Sequence, residues 1–290
     1  MARDATTRRA ASILLVLAAC GGCTLPALDP LASTTYAIYK PRNVLSAAGA
    51  ASSGRKNYPT LTDIMVNAGV PPLPGHVGRL DAETSGLILV TANSLLLRAV
   101  LNWPDVLEAH GGRPLSKKYE LLLAGHHPPE STALASIGEP LTHSRGGETF
   151  HSDAAVAVEH LGCFRDDDLA AGGYELIDRT DVERVALERS KLAVARRPAV
   201  SRRTGEAVPA YVPFQGELTR VRLTLKQGRH HQIRRLCRRA GLKLRHLRRV
   251  AVGPIELGDD AQPGDVRELS LEEKRRLCEE CLPRLLLGKG

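Results

Sequence analysis

The stretch Gly78-Arg79-Leu80-Asp81-Ala82-Glu83-Thr84-Ser85-Gly86 puts one carboxylate, Asp81, in a short turn. The run that follows it, Leu87-Ile88-Leu89-Val90-Thr91, has the length and composition of a buried strand. A rigid strand can hold a carboxylate on such a turn in a fixed direction, where it can act as a nucleophile or as a base. Asp81 is therefore the first candidate catalytic residue.

Two later segments carry side chains suited to bind a nucleic acid. Lys118-Tyr119 lies in a predicted strand over 117–123. The segment Gly228-Arg229-His230-His231-Gln232-Ile233-Arg234-Arg235-Leu236 opens a predicted helix over 230–240, with an apolar stripe on one side. The other side of that helix carries Arg234, Arg235, Arg238 and Arg239.

The chain of 290 residues is basic, with 40 Lys and Arg against 32 Asp and Glu, a net charge of +8 and a pI near 9.4. From Lys226 to Arg249 there are ten Lys or Arg and neither Asp nor Glu. Such a run is typical of a solvated helix surface or of a surface that contacts phosphate. Because it contains the segment 228–236, we interpret it as one basic face for a polyanionic partner.

The order of the predicted elements indicates an α+β fold with a mixed, mainly antiparallel central sheet flanked by helices. A strand is predicted at 36–40, and Thr60 caps a helix whose apolar positions repeat at helical spacing. Another strand is predicted over 218–225. Ser270 and Glu273 form a capping box for a last helix.

Taken together and in this order, the segment 78–86, Lys118-Tyr119 and the segment 228–236 resemble the motifs of pseudouridine synthases of the small-subunit ribosomal RNA type. The resemblance covers roughly 34–142 and 208–277. It implies the pseudouridine synthase fold and the isomerisation of one specific uridine in structured RNA, above all ribosomal RNA. It also implies that no cofactor is needed, because the reaction has no net redox change and adds no group.

The resemblance gives each residue a role. Asp81 is the nucleophile, and Arg234 pairs with it and favours its charged form. Arg79 fills the space that the flipped uridine leaves, and Tyr119 stacks on the flipped uracil. The alternatives are a surface charge for Arg79, a strand core residue for Tyr119 and a phosphate contact for Arg234. Attack at C1′ and removal of a ribose proton both remain open as the first step. The expected contacts to the RNA backbone are Arg229, Arg235, Arg238 and Arg239.

Histidine and cysteine pairs raise the question of a metal site. Adjacent histidines on a helix point about 100° apart, so we expect His230-His231 to contact RNA, and His126-His127 to lie on a surface loop, rather than to bind an ion. Four thiolates of Cys20/Cys23 and Cys278/Cys281 could in principle bind zinc. We expect inert thiols instead, and no metal, because the first pair lies in a predicted leader.

Residues 1–33 have the features of a targeting segment, because arginines precede the apolar run 10–19 and small residues follow it. The run is too short to span a bilayer, so no stable membrane span is expected. Leu17-Ala18-Ala19-Cys20 also resembles a lipoprotein cleavage box, which implies an exported protein. Because an RNA-modifying enzyme must meet its RNA, we expect a plastid or mitochondrion, or the cytoplasm if the start codon is assigned too early.

The catalytic domain is expected over 34–282, followed by a tail at 283–290. A surface insertion is expected at 143–206, because the distance between Tyr119 and Gly228 exceeds what the resemblance requires. We expect a monomer with RNA as its partner. The alternative function is a catalytically silent RNA-binding protein of the same fold that serves ribosome assembly.

Overall fold

The computed structural model describes residues 29–46, 58–145, 148–165 and 217–287. Within these ranges the chain forms one large sheet, with helices against both of its faces, and a separate two-stranded hairpin. The strands are β1 (Thr35–Lys40), β2 (Gly75–His76), β3 (Ser85–Thr91), β4 (Lys117–Ala124), β5 (Leu141–Arg145), β6 (Glu148–Ser152), β7 (Ala157–Arg165), β8 (Glu217–Leu225), β9 (Lys243–Val252), β10 (Ile255–Glu256) and β11 (Val266–Glu268). The helices are α1 (Leu61–Asn67), α2 (Ser94–Val100), α3 (Pro104–His110), α4 (Thr132–Ser136), α5 (Gln232–Arg239), α6 (Leu271–Cys281) and α7 (Pro283–Leu287).

The large sheet has the strand order β11-β1-β3-β9-β4-β8-β7, with β2 paired to β3 and β10 paired to β9. All of these pairs are antiparallel except β3 with β9, which are parallel. The prediction of an α+β fold with a mixed, mainly antiparallel sheet is confirmed. The parallel pair aligns Ser85 with Arg248 and Gly86 with Arg249, so it joins the strand after Asp81 to a strand of basic residues.

Gly86 makes this parallel pairing possible. Its φ is +108°, and a Cβ at this position would lie 2.2 Å from the carbonyl oxygen of Arg249. Any other residue would therefore push β3 and β9 apart. The glycine at the end of the 78–86 segment thus fixes how closely the Asp81 turn approaches Arg249.

The two faces of the sheet bury separate cores, as the alternation of side chains along β3 shows. Ile88 and Val90 pack in a core that includes apolar residues of α1, α4 and α5. Leu87 and Leu89 point to the other face and pack with residues of α2, α3 and α6. A strand with both faces covered is a continuous apolar run, which is why 87–91 shows no alternation of polar residues.

Most of the predicted elements are present near their expected bounds. Thr60 caps α1, with Asp63 completing a capping box, and Ser270 with Glu273 caps α6. The helix expected over 230–240 begins only at Gln232, because His231 has a left-handed backbone with φ of 55°. His230 and His231 therefore belong to the loop before α5 and not to the helix.

The structure changes the interpretation of the predicted insertion at 143–206. Residues 157–165 form β7, which is the edge strand of the large sheet and pairs with β8. They are therefore part of the fold and not of a surface insertion. Residues 166–206 lie outside the described ranges, where the insertion stays a prediction. The last pair of the β7–β8 ladder is Arg165 with Glu217.

The expected tail at 283–290 contains α7, whose Arg284 donates hydrogen bonds to the carbonyl groups of Glu108 and Ala109 in α3. Most of the predicted leader at 1–33, with Cys20 and Cys23, lies outside the described residues. Cys278 and Cys281 are buried in the core, as expected of inert thiols. In the part of the chain that the structure describes, no helix has the length and apolar character that crossing a bilayer requires.

Candidate active site

The Asp81 turn is held by backbone hydrogen bonds on both sides of the carboxylate. The amide of Thr84 donates to the carbonyl of Asp81 at 3.0 Å. The amide of Asn43 donates to the carbonyl of Ala82 at 2.6 Å. Before the turn, Leu80 and Ser46 exchange two hydrogen bonds, of 2.8 and 3.1 Å. The backbone around Asp81 is therefore fixed by contacts with residues 43–46 as well as by its own turn.

Lys40 lies beneath this turn with no exposed surface. Its Nζ donates to the carbonyls of Pro41 and Val44 at 2.9 and 2.8 Å, and lies 3.5 Å from that of Ala82. Burial lowers the pKa of Lys40 from 10.5 to about 7, against an opposing effect of the Asp81 carboxylate. Lys40 was not among the site residues expected from the sequence. A lysine at the end of a buried apolar strand is the signal that could have found it.

Two basic side chains contact the carboxylate of Asp81, whose side chain is 32% exposed. Arg234 Nε lies 3.5 Å from Oδ2, and His231 Nε2 lies 3.3 Å from Oδ1. The same guanidinium donates to Thr84 Oγ1 at 3.3 Å and lies 3.5 Å from Glu83 Oε2. The expected proximity of Arg234 to Asp81 is thus present in the structure, with a second contact, His231, that was expected to meet RNA.

His230 and His231 stack on each other, with ring centroids 3.8 Å apart and an angle of 17° between the rings. Together with Asp81 they offer three possible metal ligand atoms within 4.8 Å of one another. The reason we gave against a shared ion, side chains 100° apart on a helix, does not apply, because both residues precede α5. The nitrogen lone pairs of the two rings lie in nearly parallel planes 3.8 Å apart, however, and one ion cannot lie in both planes. The expectation of no metal stays a prediction.

A cavity of about 320 Å³ opens beside Asp81. Its lining includes Arg79, Tyr119 and Arg234, so the candidate residues of all three sequence segments meet there. Tyr119 is buried in β4, opposite Leu223 of β8. Of the described side chains that line the cavity, five are Lys or Arg and one is an acid, Asp81. The cavity is therefore suited to a ligand that carries negative charge or hydrogen-bond acceptors.

Two of those basic residues, Lys117 and Arg249, were not foreseen. Burial, and secondarily Arg249, lowers the pKa of Lys117 from 10.5 to about 8. Arg249 is 2% exposed and lies opposite Tyr119 on the neighbouring strand. Both belong to strands of the sheet, at positions where the alternation points them toward the cavity. No motif marks them, and only the strand pairing brings them to the site.

The arginines expected to contact RNA backbone divide into two groups. Arg229 and Arg238 are exposed, and Arg235 is half-buried. Arg239 instead donates to the carbonyls of Ser136, Glu139 and Pro140 at the end of α4. Its donors are used within the protein, which differs from the phosphate contact that we expected.

The basic run 226–249 is not a single face, in contrast to our interpretation. Arg248 turns to the opposite side of the sheet from Arg249 and, with Arg220 and Arg222, pairs with the buried carboxylate of Glu120 at 2.8 to 3.0 Å. Burial raises the pKa of Glu120, but these guanidinium groups outweigh it and hold the pKa at about 2, below the ordinary 4.5. Part of the positive charge is thus structural.

The sequence pattern of the RNA pseudouridylate synthase family matches residues 34–239. The chain belongs to this family. The matched region contains the Asp81 turn, Tyr119 and all of α5, and it confirms the resemblance seen in the sequence motifs. The description of the family also agrees with the predicted class of enzyme, an isomerase that acts on RNA.

Relatives within the pseudouridine synthases differ in how much of this chain they match. A Pasteurella multocida protein named ribosomal small subunit pseudouridine synthase A is 27% identical over 231 residues, which cover 67% of this chain and 97% of that protein. A Yersinia pestis protein of the same name is 44% identical over 57 residues, which cover 20% of this chain and 24% of that protein. A crystal structure of a pseudouridylate synthase matches with a TM-score of 0.50 at 20% identity, covering 84% of this chain and 74% of the other. This last likeness shows the shared fold.

Proposed function

We propose that this protein converts a specific uridine of structured RNA to pseudouridine, with Asp81 as its nucleophile. The observation that carries the proposal is the position of the Asp81 carboxylate. It lies on a fixed turn at the edge of a cavity, with Arg234 Nε 3.5 Å from one oxygen and His231 Nε2 3.3 Å from the other. Family membership supports the reaction type.

The reaction needs one carboxylate and no cofactor. The bond from C1′ to N1 breaks, and its electron pair remains on the uracil, which leaves as an anion. Asp81 either forms an ester at C1′ or takes a proton from the ribose, and both routes are open. After the base rotates, C5 bonds to C1′. In the first route the ester bond to Asp81 breaks, and in the second route Asp81 returns its proton to the ribose. C5 then loses its proton and N1 gains one. Atoms and charges balance without any further reactant.

Asp81 must be ionised to act in either route. Arg234 lies 3.5 Å from the carboxylate and, because it also contacts Thr84, restricts the direction of the carboxylate. Tyr119 lines the same cavity and supplies an aromatic surface on which a uracil can stack. Arg79, two residues before Asp81, is available to fill the space left by a flipped base.

The RNA substrate is proposed to be ribosomal, in agreement with the names of the Pasteurella and Yersinia relatives. Exposed Arg229 and Arg238 lie near the cavity on the loop and helix that carry Arg234, where they can contact phosphates. A plastid or mitochondrion is the proposed location, on the strength of the leader features at 1–33 alone. The protein is proposed to act as a monomer.

The alternative is a catalytically silent RNA-binding assembly factor. Loss of catalysis would remove the requirement for a charged, aligned nucleophile, yet Asp81, Tyr119 and Arg234 all line one cavity. This arrangement favours the enzyme.

The test is to map pseudouridines in total RNA from cells with and without the gene, and from cells that express the Asp81→Asn protein at the wild-type level. One or a few positions should lose pseudouridine both when the gene is absent and in the Asn variant. If the gene is needed for ribosome assembly while no pseudouridine depends on it, the protein is an assembly factor and not an enzyme.

A further inference from the structure

Arg249, one of the residues that line the cavity, carries a buried hydrogen-bond donor without a partner among the described residues. Its Nε donates to the carbonyl of Leu87 at 2.7 Å. Its Nη2 is buried and has no hydrogen-bond partner among the residues that the structure describes. Leaving a charged donor unsatisfied in the interior is costly, so an unpaired Nη2 beside a cavity suggests a group that is present only with substrate.

The position of Arg249 is fixed from several directions. It is paired across the sheet with Tyr119 on one side and with Gly86 on the other. Gly86 has no room for a side chain because the backbone of Arg249 lies against it. A Cβ at Gly78 would lie 3.9 Å from Nη1 of Arg249, so the guanidinium sits under the loop that leads to Asp81. The donor is therefore preorganised rather than mobile.

The positive charge of Arg249 acts on two neighbouring lysines. It contributes, after burial, to the lowered pKa of both Lys40 and Lys117. Among the described residues that line the cavity, the acidic side chain is Asp81, and its two oxygens already contact Arg234 and His231. The floor of the cavity thus holds positive charge that the surrounding described residues do not fully balance.

We propose that Arg249 donates a hydrogen bond from Nη2 to a carbonyl oxygen of the uracil and stabilises the base while it is an anion. The inference rests on the proposed function, since it concerns the uracil that Asp81 releases. When the C1′–N1 bond breaks, the electron pair spreads over the ring onto O2 and O4. A fixed guanidinium aimed at one of these oxygens stabilises that charge more than it stabilises the neutral uridine.

The geometry of the rotation makes one donor sufficient. Turning the uracil by half a turn about the line through N3 and C6 exchanges N1 with C5 and also exchanges O2 with O4. An arginine that contacts one carbonyl before the rotation therefore meets the other one after it. The same contact can hold the base before C1′–N1 cleavage and before C5 bonds to C1′.

The experiment compares Arg249→Lys with Arg248→Lys, using a synthetic RNA that contains the mapped uridine. Arg248 is the adjacent arginine on the opposite side of the sheet, so the matched variant reports the structural effect of the same change. For Arg249→Lys we expect single-turnover rates at saturating RNA to fall at least tenfold, with RNA affinity within about threefold, because an ammonium cannot contact both Leu87 and the base. Arg248→Lys should keep the wild-type rate.

A second measurement separates substrate contact from positioning. The RNA is made with 2-thiouridine or 4-thiouridine at the target, because sulfur accepts a weaker hydrogen bond than oxygen. The wild type should be slowed by sulfur at either position, and Arg249→Lys should lose that sensitivity. A wild-type rate for Arg249→Lys, or an equal thio effect in both proteins, would overturn the inference while leaving the proposed function intact.

If the wild type makes no pseudouridine, the proposed function fails, and the contact is then tested by the binding of uridine 5′-monophosphate, followed by NMR. Weaker binding to Arg249→Lys than to Arg248→Lys would still support the uracil contact. Equal binding, or no binding to the wild type, would overturn it.

Discussion

Arg234 Nε lies 3.5 Å from Asp81 Oδ2, while Nη2 of the same guanidinium donates to Thr84 Oγ1, three residues further along the turn. One side chain from α5 thus contacts both ends of the turn that carries Asp81. The contact is a long ion pair and not a bidentate fork, because the guanidinium is shared between the carboxylate and the Thr84 hydroxyl.

Asp81→Asn should abolish pseudouridine formation and leave RNA affinity within about tenfold of the wild type. The amide keeps the volume of the side chain but cannot act as the nucleophile, while the phosphate contacts are unchanged. Pseudouridine formation in a target RNA and filter binding are the measurements. Near wild-type activity of the Asn protein would show that another group does the chemistry.

Arg234→Lys should reduce turnover by about tenfold to a hundredfold, although the charge is kept. An ammonium cannot contact Asp81 and Thr84 at once, so the carboxylate loses its fixed direction. Single-turnover rates and RNA affinity, measured on the same preparation, separate the two effects. If only affinity falls, Arg234 acts as a phosphate contact.

Arg238→Ala and Arg239→Ala should have different effects although the residues are adjacent on α5. Arg238 is exposed, so its loss should weaken the binding of all RNA sequences and reduce the salt slope by about one unit. Arg239→Ala should leave the salt slope unchanged and lower the free energy of unfolding by about 1–2 kcal/mol, because it removes donors from the carbonyls of Ser136 and Pro140. Affinity across a salt series and urea unfolding give the two numbers. Equal salt slopes for the two variants would mean that Arg238 is merely solvated.

The stability of the protein should rise with pH between about 7 and 9, and Lys40→Met should remove part of that rise. The folded chain releases the proton of Lys40 near pH 7, whereas the unfolded chain holds it up to about 10.5. Within this window the unfolded state binds more protons, so raising the pH favours folding. Urea unfolding at pH 6.5 and 9 measures the effect. In the Lys40→Met protein a smaller rise of stability with pH should remain, because the pKa of Lys117 is also lowered, to about 8. A rise equal to that of the wild type would mean that Lys40 stays charged in the folded protein over this pH range.

Glu120→Gln should lower the free energy of unfolding at neutral pH by about 3 kcal/mol, because three guanidinium groups lose their buried counter-ion. The ionised carboxylate stabilises the fold fully above about pH 4.5, and this contribution disappears as the pH falls toward 2. The gap between wild type and variant should therefore close in acid. The exposed pair of Glu256 with Lys118 is the control, and Glu256→Gln should cost less than about 1 kcal/mol. Equal costs for both changes would contradict the assignment.

The local signals in the sequence were sufficient for most elements and for the residues carried by motifs. Thr60 and Ser270 predict where their helices begin, because a capping side chain bonds to a backbone amide only three residues away. Asp81, Tyr119 and Arg234 meet in one cavity as expected.

Lys40, Lys117 and Arg249 could not be predicted in the same way. Lys117 and Arg249 come to the cavity through the pairing of β3 with β9 and of β9 with β4, which joins residues more than a hundred positions apart. Lys40 comes beneath the Asp81 turn through the pairing of β1 with β3, where it lies opposite Gly86. The division of the basic run between two sides of the sheet has the same origin, since alternation along β9 separates Arg248 from Arg249. His231 was misjudged because its left-handed backbone places the start of α5 at Gln232, two residues after the start that the pattern indicates.

The ladder between β7 and β8 ends at Arg165 and Glu217, which face each other on adjacent strands. Whatever length of chain joins these two residues, it leaves and re-enters the domain at one point, on the edge strand. Because the cost of closing a loop grows slowly with its length, this point can accept longer or shorter sequences with little change in the stability of the sheet. Asp81 lies before β3, Tyr119 lies in β4, and Arg234 follows the opposite end of β8, so an engineer could insert an affinity tag or a second RNA-binding module here without changing the candidate site.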